Sequence, residues 1–309
     1  MARRKKKSET LVTFMKRIIT LLEKNGQHST MQHYKATLNS LMRFRNNRDM
    51  TFDEMDSEFV RSYEAYLKNV ANVCRNTSSF YMRILRAVYN RAVEKGLAVQ
   101  KNLFEHVYTG IDNTRKRAVS SETIKAIKHL DLSDSPMQEM AQYIFLMCVY
   151  LQGISFIDLA HLRKTDIKDG VLCYVRSKTG RQISVKWEKT MQEIVDTFQH
   201  LTRSSPYLFP FLVSDSDDPK EERRLYHNAQ SRIAYHLKKI GAKVGLNERL
   251  TLYVARHSWA TMARDMNTDI SVISCCLGHD SIATTQIYLD SIVSAKMYEA
   301  NAKILAAIR

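Results

Sequence analysis

The sequence predicts a mainly α fold with a small β-sheet (α+β), built as two domains. Three observations carry that expectation. Apolar residues recur at helical spacing through most of the chain. One stretch, Gly170–Trp187 (GVLCYVRSKTGRQISVKW), alternates apolar and polar as a β-hairpin does, with Thr179-Gly180 near its turn. The 309 residues suffice for two cores, and Tyr108–Val119 (YTGIDNTRKRAV) has no apolar period.

The elements follow in order. Residues 1–7 form a basic arm in which Arg3 to Lys7 are five consecutive cations; such an arm stays solvated or lies along a phosphate backbone. Leu11, Phe14, Met15, Ile18, Ile19 and Leu22 make an amphipathic helix ending near Gly26. Ser29 or Thr30 caps a second, with Tyr34, Leu38, Leu41 and Met42 inward and Lys35, Arg43 and Arg45 outward. Asp56 opens a third helix through Phe59, Val60, Tyr63, Tyr66 and Leu67. Thr77 caps a fourth, which packs Met82, Leu85, Val88, Tyr89 and Ala92 and stops at Gly96. Residues 8–106 thus read as an all-helical bundle. The fourth helix and its lead-in carry Arg75, Arg83, Arg86 and Arg91, which fit either a solvated face or a helix laid against DNA.

Residues 107–119 read as a linker containing Arg115, Lys116 and Arg117, and 120–309 as the second domain. Helices are expected at Ser121–Leu130, at Pro136–Tyr150, across 187–201, and from Glu222 to Gly241. In the last, Ile233, Leu237 and Ile240 face inward; Arg223, Arg224, Arg232, Lys238 and Lys239 touch DNA or stay solvated. Residues 204–219 read as a loop. In the hairpin, Val171, Cys173 and Val175 line one face, and Tyr174, Arg176 and Lys178 the other. Three more helices are expected over Val254–Met266, over Asp269–Cys276 and from Ser281, and residues 291–309 form an amphipathic tail.

Composition narrows the partners. Hydrophobic residues are 44% and charged residues 26%, ordinary for a globular protein. No run is long enough to span a bilayer and no signal peptide is evident, so a cytoplasmic, nucleoid-associated protein is expected. The 47 lysines and arginines against 32 acids leave a net +15, which favours a polyanion because each neutralised phosphate releases a counterion. The five cysteines lack CxxC spacing, which argues against a disulfide framework or a zinc site.

The chemistry concentrates in Leu250–Tyr288. Arg256 is a permanent cation able to hold two phosphate oxygens. His279, just past a helix-ending glycine, can hydrogen-bond a further oxygen or carry a proton. A tyrosine such as Tyr288 is a poor nucleophile until cations stabilise its phenolate. Its attack on a phosphodiester gives a phosphotyrosine that keeps the bond's energy, so no nucleotide cofactor is needed. His257 adjoins Arg256, but helix neighbours point apart, which makes it structural.

This constellation resembles the carboxy-terminal signature of the tyrosine recombinase (phage integrase-like) family: His-x-x-Arg, then Leu-Gly-His, then the nucleophilic tyrosine nine residues on. Here it reads Tyr253-x-x-Arg256, Leu277-Gly278-His279 and Tyr288. The histidine's place is taken by Tyr253. The family's first catalytic arginine, three residues before an acid, falls on Ser155 ahead of Asp158; a branch with the same wording has an arginine where this chain has Gln152. Neither position is cationic. Arg176 is expected to supply the missing phosphate contact from a place two residues before Lys178, about 7 Å along a strand. Arg163 and Arg181 are the alternatives. Asp158 is either a buttress or an ordinary cap or surface acid.

The resemblance implies a core-binding domain and a catalytic domain closing on double-stranded DNA as a clamp, with Arg43, Arg45, Arg75, Arg83, Arg86, Arg115, Lys116 and Arg117 as DNA contacts. It implies Lys178 as the general acid, a 3′-phosphotyrosine and a Holliday junction. It implies a homotetramer on two sites that is a monomer or weak dimer without DNA, with an accessory DNA-bending protein left open. The tail packs in cis or docks on a neighbouring protomer. Only seven residues precede the first expected helix, so an invertase-like or resolvase-like role is expected over an arm-site integrase, with inversion, integration and excision all open. Three rivals remain: a non-cleaving DNA-binding relative, a type IB topoisomerase-like relaxing enzyme, and a helical transcription regulator that leaves the Leu250–Tyr288 motif unexplained.

Overall fold

The computed structural model describes residues 9–112, 117–214, 218–290 and 304–306, with only the backbone of 287–290. The basic arm, Arg115, Lys116 and most of the 291–309 tail lie outside the described residues. The chain divides into two compact units, Met1–Thr114 and Arg115–Arg309. It is mainly helical with one small sheet, as the fold class requires.

The first unit holds α1 (Leu11–Lys24), α2 (His28–Phe44), α3 (Ser57–Asn69) and α4 (Arg75–Glu94). Their apolar stripes meet in one core around Leu11, Met15, Leu41, Tyr63, Leu67, Met82 and Leu85. Thr10 caps α1 and Asp56 caps α3 through side-chain oxygens that accept backbone N–H groups. Two expected caps are corrected. Gly26 turns the chain in the left-handed region at φ 71, and α2 restarts at His28, so Ser29 and Thr30 fall inside its first turn. Helix α4 starts at Arg75 because the Cys74 carbonyl accepts from Thr77 and Ser78 N–H at 2.9 and 3.0 Å.

The stretch after α4 is sewn to this unit. Tyr108 N–H donates to Glu64 Oε1 at 2.9 Å, and the Asn76 side chain holds both the N–H and the carbonyl of Asp112 at 2.7 and 3.0 Å.

The second unit is organised on α6 (Pro136–Tyr150), preceded by α5 (Ser121–His129). From Ala141 to Val149, α6 is buried on almost every side, as an apolar-all-round helix must be. After α7 (Phe156–Ala160) come β1 (Ile167–Lys168), β2 (Val171–Val175) and β3 (Gln182–Lys186), an antiparallel sheet in the order β1-β2-β3. Leu172 opposes Val185 and Tyr174 opposes Ile183 on the core side. At two residues, β1 is too short to show a period, and the sequence gives no sign of it.

Helices α8 (Lys189–Thr197) and α9 (Gln199–Thr202) follow, then a loop that inserts Leu208, Phe209, Phe211 and Leu212 into the core. The long α10 (Pro219–Lys243) packs Ala229, Ile233, Leu237 and Ile240 into that core. Then come α11 (Leu252–Asp265), α12 (Ile270–Cys276) and α13 (Ile282–Asp290). Among the described residues no helix is long and apolar enough to cross a membrane.

Candidate active site

Two helix ends and a hairpin tip build the site. Helix α12 stops in a Schellman motif: His279 N–H donates to the Ser274 carbonyl at 3.0 Å and Gly278 N–H to Cys275 at 2.9 Å. Gly278 takes the left-handed position this stop needs, at φ 62. Helix α6 stops the same way, with Gly153 N–H on Cys148 O at 2.8 Å and Gln152 N–H on Val149 O at 3.1 Å. Here Gln152 itself occupies the left-handed position, at φ 57. Its place in the chain serves the backbone.

Arg256 projects from α11 between these ends and is only 4% exposed. Its Nη1 donates to the Gly153 carbonyl at 2.6 Å; its Nη2 donates to the Leu277 carbonyl at 2.6 Å and to His279 Nε2 at 3.2 Å. A Cβ on Gly153 would lie 2.9 Å from Arg256 Cγ, so the glycine permits the approach.

A guanidinium has only donors, so His279 accepts at Nε2 and carries its proton on Nδ1, which donates to Thr285 Oγ1 at 2.8 Å. Burial first, then the charges of Arg256, Arg176 and Lys178, push the imidazole pKa down to about 4. His279 is therefore neutral at neutral pH.

Arg176 enters from the hairpin. It is 7% exposed and donates to the Gly278 carbonyl, joined there by Thr179 Oγ1 at 3.2 Å. The strand geometry expected for Arg176 and Lys178 is corrected: β2 ends at Val175, and residues 176–181 form a tight turn closed by Arg176 N–H on Arg181 O at 2.8 Å. Lys178 stands exposed on that turn. Asp158, buried, holds the turn from below. Its Oδ1 accepts from Ser177 N–H at 2.8 Å and Ser177 Oγ at 2.6 Å, and its Oδ2 from Ser155 Oγ at 2.6 Å.

Tyr253 lies one helical turn before Arg256 and is 59% exposed, edge-on to buried His257 with ring centroids 4.6 Å apart. With Ser155, Gln230, Arg249 and Arg256 it lines a concavity of about 580 Å³. Arg181 pairs with Asp280 at 3.4 Å, and Arg163 lies over the Tyr207 ring at 5.8 Å. Tyr288 is on α13; its side chain lies outside the described residues.

The arginines singled out for DNA are variously engaged. Arg43 is exposed. Arg45 donates to the carbonyls of Arg48 and Asp49. Arg75 meets Asp112 at 3.3 Å and lies over the Tyr108 ring at 3.8 Å, and Arg86 donates to Thr109 Oγ1 at 3.2 Å. Arg83 is half-buried, with Nε making no hydrogen bond. Arg117 faces Glu248 at 3.6 Å.

Sequence reasoning missed Gly153, Ser177 and Thr285 as parts of this site. Gly153 adjoins Gln152 and Thr285 lies between His279 and Tyr288, but their partners are far along the chain or across a turn.

Known proteins are similar to this chain. The phage integrase SAM-like domain matches residues 10–109, and the phage integrase family matches residues 117–294. The chain is similar to tyrosine recombinase XerC of Leptospira interrogans serogroup Icterohaemorrhagiae serovar copenhageni (strain Fiocruz L1-130). The two are 24% identical over 286 residues, covering 91% of this chain and 90% of the relative. Its fold is similar to that of XerH site-specific recombinase bound to a palindromic difH substrate in a post-cleavage complex. There the TM-score is 0.68 at 14% identity, over 90% of this chain and 80% of that one. It is also similar to a lambda integrase tetramer bound to a Holliday junction, with TM-score 0.67 at 16% identity over 93% and 79%. A family match across most of both units, on a helical fold shared with those two structures, makes this chain a member of the phage integrase family of tyrosine recombinases.

Proposed function

We propose that this chain is a site-specific DNA recombinase that cuts and rejoins DNA through Tyr288. The phenol loses its proton to solvent, its oxygen attacks a scissile phosphorus, a 3′-phosphotyrosine forms, and the bond to the 5′ oxygen breaks. Arg256, Arg176 and His279 stabilise the charge that gathers on the phosphoryl oxygens. Lys178, exposed on its turn, protonates the departing oxygen. The freed hydroxyl of a partner strand reverses the step, and two such exchanges pass through a Holliday junction. Four protomers on two DNA sites carry it out, with residues 8–106 as the core-binding domain. XerH with its difH substrate and lambda integrase on a Holliday junction are the likenesses behind this assembly.

One observation carries the reading. Arg256, His279 and Arg176 come from three separate stretches and meet at two helix stops: Arg256 donates to the Gly153 and Leu277 carbonyls and to His279, Arg176 donates to the Gly278 carbonyl, and the Lys178 charge acts on the same imidazole. Two buried arginines gathered around an imidazole whose pKa they depress are what a functional site looks like.

A non-cleaving relative is the second reading. Ser155, standing where the family has an arginine, is occupied by Asp158. Trapping on nicked candidate DNA decides between the two. The parent should give a slower-migrating covalent band that Tyr288→Phe does not form, and no band from the parent selects the non-cleaving reading. In the same assay Arg176→Ala should slow band formation by roughly 10²–10³-fold, the cost of a lost preorganised charge contact. Cleavage at the parent rate would remove Arg176 from the site.

A further inference from the structure

The hydrogen bond on the far side of His279 has no part in the chemistry above. Its acceptor, Thr285 Oγ1, is 2.8 Å from Nδ1, and Thr285 is 0% exposed. Thr285 belongs to α13, three residues before Tyr288, which places the two on neighbouring positions of one helix face. The other described side chains of α13 are exposed, Ile282 by 50%. Among these described side chains Thr285 is the buried one, and its hydroxyl joins the helix to His279.

The imidazole is thus held at both nitrogens. Arg256 donates to Nε2 at 3.2 Å, which leaves Nδ1 as the protonated atom, and Thr285 supplies the oxygen that receives that proton. The partner of one ring nitrogen fixes the state of the other.

We propose that Thr285 is a positioning residue: it locks His279 in the Nδ1–H tautomer and ties the helix that carries Tyr288 to the phosphate-binding cations. It acts through His279 and the backbone of α13 and touches no substrate atom. The catalytic part of this inference rests on the recombinase reading; the hydrogen bond itself does not.

Two variants test it in the full-length chain. Thr285→Val keeps the shape and removes the acceptor, and Thr285→Ser keeps the acceptor. Nitrogen-15 NMR of the imidazole at neutral pH without DNA should show one protonated Nδ1 in the parent and in Thr285→Ser. Thr285→Val should show a mixture of tautomers. Cleavage of a suicide substrate by Thr285→Val should fall about 10- to 100-fold, the rate equivalent of one buried donor left unpaired. DNA affinity should stay near the parent's, and Thr285→Ser should recover the rate.

An unchanged ring spectrum in Thr285→Val overturns the proposal, and so does cleavage at the parent rate. A Thr285→Val protein that loses affinity as much as rate, with no rescue by serine, reduces Thr285 to a packing residue and also overturns it. Should the parent form no Tyr288-linked product, the recombinase reading fails, while the DNA-free spectrum still decides the Thr285–His279 bond.

Discussion

Arg256→Lys is expected to slow single-turnover cleavage by roughly 10²–10³-fold with little change in DNA affinity. Lysine keeps the charge, so any loss measures geometry. The Arg256 fork reaches the Gly153 carbonyl, the Leu277 carbonyl and His279 Nε2 from one rigid plane. An ammonium is a point charge on a flexible stem and cannot span those three acceptors at fixed angles. The site is also buried, which raises the cost of an imperfectly paired cation. The variant should therefore lose about 1–3 kcal/mol of stability, the range for leaving a buried polar group unsatisfied. Band formation on a suicide substrate, a gel shift on the same DNA and a thermal melt read the three quantities separately. A lysine variant that cleaves at the parent rate would show that charge alone suffices and that the fork is not the phosphate clamp.

Much of this was legible in the chain, for identifiable reasons. Arg256 could be read because it lies on a helix, and His279 because it follows a helix-ending glycine; both signals are local. The apolar stripes of α1, α3 and α4 were readable for the same reason. What stayed hidden depends on partners far along the chain. Arg176 reads as a hairpin cation, and only Gly278, more than a hundred residues on, turns it into a buried one. Arg75 reads as a free positive charge until Asp112 and Tyr108 fold back over it. Ser155 reads as a missing arginine, whereas its hydroxyl joins the acid that steadies the Lys178 turn. Residues 204–219 read as a loop from their prolines and acids, and nothing local shows that Leu208, Phe209, Phe211 and Leu212 enter the core.

Gly278→Ala is expected to damage the site more than its single added methyl suggests. Gly278 sits at φ 62, where a Cβ is strained in any surroundings. Here the surroundings are also full. The new Cβ would lie 2.8 Å from Arg176 Cδ and 2.9 Å from Ile183 Cδ1, so the loop or those two side chains must shift. That movement pulls on three attachments at once: the Leu277 carbonyl under Arg256, the Gly278 carbonyl under Arg176, and the stop that aims His279. Backbone strain and overpacking together should cost about 2–4 kcal/mol, or roughly 4–16 °C in Tm for a domain of this size. Cleavage should fall more than about 100-fold, because two cations and the imidazole shift together. Gly245→Ala is the matched control. Gly245 has φ 76, yet nothing stands within 4 Å of its Cβ position. It should lose only the conformational share, about 1 kcal/mol, and cleave at the parent rate. Equal losses in the two variants would mean that left-handed strain accounts for the effect and that the packing of Gly278 against Arg176 is incidental. A large gap in both melting temperature and cleavage rate assigns the difference to the contact between the α12 stop and the hairpin.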